Sequence, residues 1–296
     1  MNVILFLRTK NVTSMNGERT IPDDTKKVFM KYLTCSRTFS YILNREFGHT
    51  NENEERASDS LAGGLANLGY QCGMLWGAAL AAGAESFRRN SDCGRAIAMA
   101  ISTTQHLVKS LSKTAKSIIC QDIIGIDLKD KAAAESFMKT SFSDVENSVC
   151  FNLAEKWAPK AIKSARAGLS QKPTDVQQLP LSCASEVARR MGGTDEEMVM
   201  VAGFAGGIGL SGSACGALGA AIWMKNLEWC RKHPGETLSY YDNPNVDEKL
   251  EAFFNVTGSE ILCQRISGQC FKTIGDHTEF IRNGGCSKLI NTLVRS

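Results

Sequence analysis

The stretch SGSACGALGAAIWM, from Ser211 to Met224, sets a single cysteine in a frame of glycine and alanine. The stretch NLGYQCGMLWGAAL, from Asn67 to Leu80, contains a similar frame earlier in the chain. Their cysteines, Cys72 and Cys215, are 215 − 72 = 143 residues apart. A frame that recurs at a fixed offset is the sequence signature of a repeated structural unit. If the chain is duplicated, other parts of it should keep this offset.

The same offset returns further along the chain. The segment IICQDIIG, from Ile118 to Gly125, aligns with ILCQRISG, from Ile261 to Gly268. This alignment places Cys120 on Cys263, since 263 − 120 = 143. An offset that is kept across a long stretch in which the two copies otherwise differ predicts an internal duplication.

Two further cysteine pairs flank this frame at looser spacing. Cys35 and Cys183 each begin a predicted amphipathic helix that ends at glycine, and Cys150 and Cys286 lie near the far end of each copy. The first copy thus carries one set of four, called here the first tetrad: Cys35, Cys72, Cys120 and Cys150. The second tetrad follows in the same order: Cys183, Cys215, Cys263 and Cys286. Three cysteines have no clear counterpart: Cys93, Cys230 and Cys270.

The duplication predicts two domains joined by a linker. Residues 1–25 read as a polar N-terminal extension, 26–168 as the first module, and 182–296 as the second module. Residues 169–181 between them include two prolines and a tandem glutamine pair without apolar periodicity, which is typical of a linker. A chain of 296 residues is long enough for two ordinary cores.

The apolar spacing predicts an all-α fold with about five helices in each module. The stretch from Asp23 to Gly48 has acidic residues at its start, apolar residues at helical spacing and a closing glycine. Residues 93–120 read as one long helix, and Thr194 is placed to cap another. Shorter helices are expected over 245–258 and 276–293.

Small residues recur at every fourth position around the frame cysteines. These positions are Gly69, Gly73 and Gly77 in one copy and Gly212, Gly216 and Ala220 in the other. On one helix they would form a stripe without side chains. Glycine costs a helix roughly 0.5–1 kcal/mol relative to alanine, so we expect another backbone to approach this stripe closely. Peptide N–H groups at a helix start could then stabilise a thiolate at Cys72 or Cys215.

The same stretches admit other interpretations. Residues 61–84 and 199–224 carry no charge and are long enough to span a bilayer, but they are poor in Leu, Ile and Phe and lack a basic flank. Gly207, Gly209 and Gly212 spell G-x-G-x-x-G, yet no alternation of strand and helix surrounds them, so no nucleotide is expected. Buried cysteines can also act as small hydrophobic residues, which suits the three unmatched ones better than eight in matching order.

The bulk composition narrows the function further. A net charge of +3 is too small to indicate binding to nucleic acid or to an acidic membrane surface. Eleven cysteines without a convincing signal peptide favour a reducing, cytoplasmic setting, where cysteines bind metals or act in redox chemistry more often than they form disulfides. His277 lies near Cys286 in the sequence, where a ligand role competes with an ordinary capping or surface role.

Each half of the chain resembles a family of redox-active proteins that carry four cysteines and a Cys-Gly-Ala-x-x-Gly motif (C_GCAxxG_C_C). The second module carries Cys215, Gly216 and Ala217 and departs at Ala220, where the motif has glycine. The first module keeps Gly77 but has Met74 in place of alanine. The resemblance implies a tandem duplication of a redox module and leaves the chemistry open.

Four thiolates per module suit an iron–sulfur cluster or a metal ion. We expect each tetrad to ligate one centre, with Gly73 and Gly216 bringing backbone amides to the cofactor. The protein would then transfer electrons, alone or as an oxidoreductase component, with a redox partner protein and with homodimerisation as a further option. The alternatives are a cofactor-free thiol/disulfide redox protein and a structural partner subunit with buried cysteines.

Overall fold

The computed structural model describes residues 24–171, 180–239, 241 and 243–296. These residues form fifteen α-helices and no β-strand, which confirms the predicted all-α class. None of the described helices is both long enough and apolar enough to cross a membrane. The N-terminal extension and most of the predicted linker lie outside the described residues, so the domain boundaries stay predictions.

The helices of the two modules follow one another in the same order along the chain. The first module contains α1 Thr25–Tyr32, α2 Cys35–Phe47, α3 Glu52–Ala57, α4 Gly73–Arg89, α5 Cys93–Ala115, α6 Cys120–Ile124, α7 Lys131–Ser143 and α8 Val149–Leu169. The second contains α9 Cys183–Arg190, α10 Asp195–Met200, α11 Gly216–Lys232, α12 Pro244–Thr257, α13 Cys263–Ser267, α14 Ile274–Arg282 and α15 Ser287–Arg295. Short 3-10 turns at Asp59–Leu61 and Ala202–Phe204 complete the pattern.

Three predicted helices are each divided in two, so the described modules hold more than five helices each. Left-handed residues make the breaks: Leu33 (φ 65°) separates α1 from α2, and Lys116 (φ 69°) ends α5 before Cys120 starts α6. Gly284 (φ 88°) and Cys286 (φ 58°) separate α14 from α15. Apolar periodicity continues across such breaks because the helices on either side pack on the same core. Thr194 caps α10 with a reciprocal capping box, as expected.

The predicted stripe of three glycines on one helix is only partly correct. Helix α4 begins at Gly73, so Gly69 (φ 79°) lies in the preceding turn, and Gly212 (φ 74°) does the same before α11. Gly77 does lie on α4, where a Cβ atom would stand 1.9 Å from the Ser36 carbonyl oxygen of α2. The close backbone approach that the sequence predicted therefore occurs between α2 and α4.

A left-handed turn precedes each frame cysteine. Residues 63–67 and residues 206–210 all have positive φ, five in a row in each module. Equivalent hydrogen bonds close the turns, from Ala66 N to Ser60 O and from Gly209 N to Gly203 O, both 2.8 Å. Left-handed backbone costs a non-glycine residue roughly 1–2 kcal/mol, which accounts for the glycines here. The G-x-G-x-x-G spelling thus reflects a turn between helices and not a strand–helix phosphate loop.

Equivalent helices of the two modules make equivalent contacts with the other module. Helix α10 of the second module packs on α4 of the first, and α3 of the first packs on α11 of the second. Gly83 and Asn226 occupy equivalent positions in the two modules, since 226 − 83 = 143. Each lies against a backbone carbonyl of the other module: a Cβ on Gly83 would stand 2.5 Å from Met200 O, and Asn226 Nδ2 donates to Ala57 O at 3.4 Å. Trp223 Nε1 adds a bond to Glu54 O at 3.1 Å. The two modules therefore share one continuous interior.

The contact at Gly77 predicts a large cost for a single methyl group. In Gly77→Ala the added carbon collides with backbone on α2, which cannot move aside without shifting Cys35, so we expect a loss of about 2–3 kcal/mol in unfolding free energy. Gly235→Ala is the control, because Gly235 is left-handed (φ 78°) with no atom near its added carbon, and it should cost about 1 kcal/mol. Denaturant unfolding measures both, and equal costs would refute the close approach.

Candidate functional site

Every cysteine of the two tetrads stands at the start of a helix. The first helical residues are Cys35, Cys120, Cys183 and Cys263; the N-cap residues are Cys72, Cys215 and Cys286; Cys150 is the second residue of α8. The first turn of a helix has peptide N–H groups without intrahelical partners and a partial positive charge. Backbone N–H groups favour the thiolate at Cys35, Cys183 and Cys215.

The sulfurs of the first tetrad are close neighbours. The interaction between the neighbouring thiols of Cys35 and Cys72 lowers the pKa of Cys35 and raises that of Cys72 well above its ordinary value. The backbone N–H groups of Gly63 and Ser36 also favour the Cys35 thiolate and oppose the effect of burial. Burial, followed by the nearby charge of Cys35, raises the pKa of Cys120 and takes that of Cys150 to about 12. The structure therefore brings the predicted four together.

The second tetrad is gathered in the same way. Burial raises the pKa of all four thiols, and that of Cys286 rises to about 12. The mutual charges of the sulfurs add to the increase for Cys215, Cys263 and Cys286. The N–H groups of Gly206 and Ala217 act in the opposite direction on Cys183 and Cys215 respectively. A buried thiol of this kind stays protonated unless a cation compensates its charge.

A short backbone clamp holds two cysteines of each tetrad in register. Cys72 N donates to Ile118 O at 2.8 Å, and Cys120 N donates to Tyr70 O at 2.5 Å. The equivalent bonds in the second module run from Cys215 N to Ile261 O (2.9 Å) and from Cys263 N to Ser213 O (2.6 Å). Isolated antiparallel bridges, Gln71 with Ile119 and Ala214 with Leu262, lie at the same points. The clamp explains why the 143-residue offset is kept between these cysteines.

Glycine makes room for the sulfurs. A Cβ on Gly73 would stand 2.5 Å from Cys35 Sγ, and a Cβ on Gly207 would stand 3.0 Å from Cys263 Cβ. The added carbon of Gly216 would instead strike Phe204 O at 1.8 Å. Gly73 therefore lies against a sulfur, whereas Gly216 lies against the turn that carries Gly206 and Gly207. Their predicted contact with a cofactor stays a prediction.

The other three cysteines are placed differently. Cys230 is fully buried on α11, Cys93 is half-buried at the start of α5, and Cys270 is exposed with its thiol directed at Gln264 Oε1 (3.1 Å). None of them acts on the pKa of a tetrad thiol. All eleven cysteines are free thiols. The unmatched three therefore serve as controls for any test of the tetrads.

His277 is a buried packing residue in this structure. Its ring meets the edge of Phe271 with centroids 4.8 Å apart, and its Nδ1 lies 3.3 Å from Leu181 O. Burial lowers its pKa to about 4, only partly offset by the Leu181 carbonyl. No tetrad sulfur contributes to that shift, which favours packing over ligation.

Two residues that the sequence did not single out join the modules beside the tetrads. Gln71 is fully buried, and its Nε2 donates to Gly207 O (3.0 Å) and Ala214 O (3.3 Å) of the second module. Trp76 packs edge-on against Phe204 at 4.6 Å and fills the space over Gly219. At the offset of 143, Gln71 and Trp76 stand where the second module has Ala214 and Gly219. This exchange of large for small residues was visible in the alignment and marks the interface.

The donor set fits a soft metal centre, although no arrangement is closed around one. Within residues 24–171 and the other described ranges, no three His, Cys, Asp or Glu side chains are already spaced to hold a metal ion. Thiolates are the usual ligands of iron–sulfur clusters, and each tetrad supplies the usual four. The glycine cradle at Cys35 and the N–H groups at the helix starts suit the sulfur-rich surface of such a group.

The fold and the site define a class: an all-α protein made of two modules, each gathering four cysteines at helix starts. The family model described as "Putative redox-active protein (C_GCAxxG_C_C)" matches residues 33–163 and again 182–296. The chain therefore belongs to this family, as a tandem duplication, which confirms the resemblance noted in its sequence. Comparison with curated proteins and with solved structures gives no significant match.

The motif in the family description corrects one detail of the alignment. Read as G-C-A-x-x-G, it falls on residues 214–219 and 71–76, so its last position is Gly219 and not Ala220. Gln71 and Trp76 then occupy both glycine positions of the motif in the first module. Both of these residues reach into the second module.

His277 predicts a defined loss of stability in acid. Its pKa in the folded chain is about 4, below an ordinary value of about 6.5, so between these limits the unfolded chain binds a proton that the folded chain does not. Stability is complete above about pH 6.5 and falls by up to about 3 kcal/mol as the pH drops to about 4. Denaturant unfolding across this range should show less pH dependence in His277→Gln. The exposed His49→Gln is the control, and an unchanged pH profile in His277→Gln would contradict the burial.

Proposed function

We propose that each tetrad holds one iron–sulfur cluster and that the protein transfers electrons through these two centres. The observation that carries the proposal is the convergence, in both modules, of four free cysteines from four different helix starts. A site assembled from single ligands on separate helices suits a cluster better than structural zinc, which favours closely paired cysteines. When bound, such a cluster accepts and releases single electrons.

The surroundings of the sulfurs support a cluster over free thiols in the second module. Burial raises the pKa of all four of its thiols, and protonated thiols are poor nucleophiles for disulfide exchange. A cationic cluster replaces those protons and removes the penalty of burying thiolates. The four sulfurs are buried together, whereas a lone buried cysteine would stay an inert thiol.

The chain itself would tune these centres in three ways. Peptide N–H groups at the helix starts donate to the sulfurs, which stabilises the more negative, reduced state and raises the potential. The left-handed turns bring Gly63 and Gly206 to Cys35 and Cys183. The apolar interior excludes water. Electrons would be exchanged with a redox partner protein in the reducing cytoplasm.

A second function has one specific observation in its favour. In the first module, Cys35 and Cys72 interact so that the pKa of Cys35 is lowered and that of Cys72 is raised. This is the arrangement of an attacking and a resolving cysteine in thiol/disulfide exchange. A cofactor-free dithiol protein would use this pair, and the second module has no equivalent lowered thiol.

Anaerobic purification distinguishes these functions. We expect brown protein with iron and acid-labile sulfide in equal amounts, and Cys215→Ser should lose about half of both because one of two four-ligand sites is broken. Cys270→Ser changes an exposed cysteine outside the tetrads and should keep the full content. Visible absorbance, iron and sulfide assays measure each outcome.

Colourless protein without iron or sulfide would overturn the cluster. If its free-thiol count then changed by two on mild oxidation, and Cys35→Ser but not Cys230→Ser abolished that change, the dithiol function would replace it. If neither tetrad variant altered any redox property, the cysteines would be structural residues of a partner subunit.

A further inference from the structure

An apolar cavity lies directly against the first tetrad. It has a volume of about 50 Å³, and three cysteines of the tetrad form part of its wall: Cys35, Cys120 and Cys150. The remaining wall is mainly aromatic and aliphatic, and none of the described side chains that line it carries a charge. Leu33 lines the cavity and is 54% exposed, so the wall reaches the protein surface at that residue.

The duplication supplies a comparison for this cavity within the same chain. The N-caps of α7 and α14, Asp130 and Thr273, keep the offset of 143, so residues on these helices can be matched one to one. Leu128, which lines the cavity, corresponds to Phe271, and the nearby Ala134 corresponds to His277. In the second module these two rings pack edge to face, 4.8 Å apart, and both are buried.

At these two positions the first module has the smaller residues, and one of them, Leu128, lines the cavity. Core positions normally fill with side chains to close packing, and an unfilled volume costs stability. The first module has this space next to three sulfurs, whereas two buried rings, Phe271 and His277, stand at the matching positions of the second module. Both modules keep their tetrad, so the difference lies in the residues beside it.

We propose that this cavity is a binding site for a small, uncharged, apolar molecule, which it holds against the first tetrad. A charged or strongly polar molecule would lose its hydration without gaining a partner, because the lining offers almost no hydrogen-bonding groups. Apolar cavities of this kind stay dry and take up xenon or small hydrocarbons. Binding itself needs no cofactor; only the assignment of the molecule as a substrate of the redox centre rests on the proposed function.

This assignment gives the two modules different roles. The first module meets the small molecule at this cavity, and the second module passes electrons. Gln71, which bonds to the turn before Cys215, ties the two sites together.

Xenon is the probe for this site. Methyl-labelled protein under xenon pressure should show saturable NMR shifts at Leu128 and Met138, both in the cavity wall. Leu128→Phe copies the second module and should weaken xenon binding at least about tenfold, since the added ring occupies the space. The matched control is Phe271→Leu, the reverse exchange in the second module, which should leave the shifts at Leu128 and Met138 intact.

A second variant tests the cavity independently if Leu128→Phe fails to fold. Phe142→Leu shortens another wall residue, so it should admit benzene, detected by the same methyl shifts, at least about tenfold more tightly than the wild type. The proposal is overturned if wild-type protein shows no saturable xenon shifts, or if neither variant changes binding in the expected direction.

The same titration on protein loaded with iron and sulfide separates this proposal from the proposed function. Xenon binding that persists after loading supports a separate site. Binding that disappears on loading shows that the cavity is the cofactor's own volume and overturns the proposal. If the chain holds no iron or sulfide but binds xenon as expected, the cavity stands and the cluster function falls.

Discussion

The structure depends on the backbone clamp that joins the segment before α4 to the segment before α6. Its hydrogen bonds, Cys72 N to Ile118 O and Cys120 N to Tyr70 O, carry two cysteines of one tetrad and recur in the second module. Because both partners of the clamp precede helix starts, it gathers sulfurs and positive helix ends at one point. The left-handed turn and the close contact of α2 with α4 then bring in a third cysteine, Cys35.

The tandem arrangement has allowed the two modules to diverge where they touch. A symmetric pair would place the same residue at both sides of the interface, whereas here Gln71 and Trp76 face small residues of the other module. A large side chain on one side of the interface and glycine or alanine on the other together fill the space between the modules without a clash. The same freedom explains how Phe271 and His277 of one module came to stand where the other has Leu128 and Ala134.

Much of this could be predicted from sequence, and the rest could not for identifiable reasons. The repeat and the pairing of Cys72 with Cys215 and of Cys120 with Cys263 follow from spacing, because the clamp preserves the 143-residue offset, and the all-helical class follows from apolar periodicity. The breaks at Leu33 and Lys116 could not be predicted, since left-handed residues other than glycine carry no local signal. The placement of Gly69 in a turn was missed because glycine serves both close helix packing and positive φ. Contacts between modules, such as that of Gln71, depend on tertiary packing that no periodicity records.

Anomalous diffraction at the iron edge, from crystals grown without oxygen, tests the central claim most directly. We expect two iron peaks per chain, one bonded to the four sulfurs of the first tetrad and one bonded to the four of the second. A single peak shared between modules, ligands drawn from Cys93, Cys230 or Cys270, or sulfurs of the tetrads without any iron would contradict it.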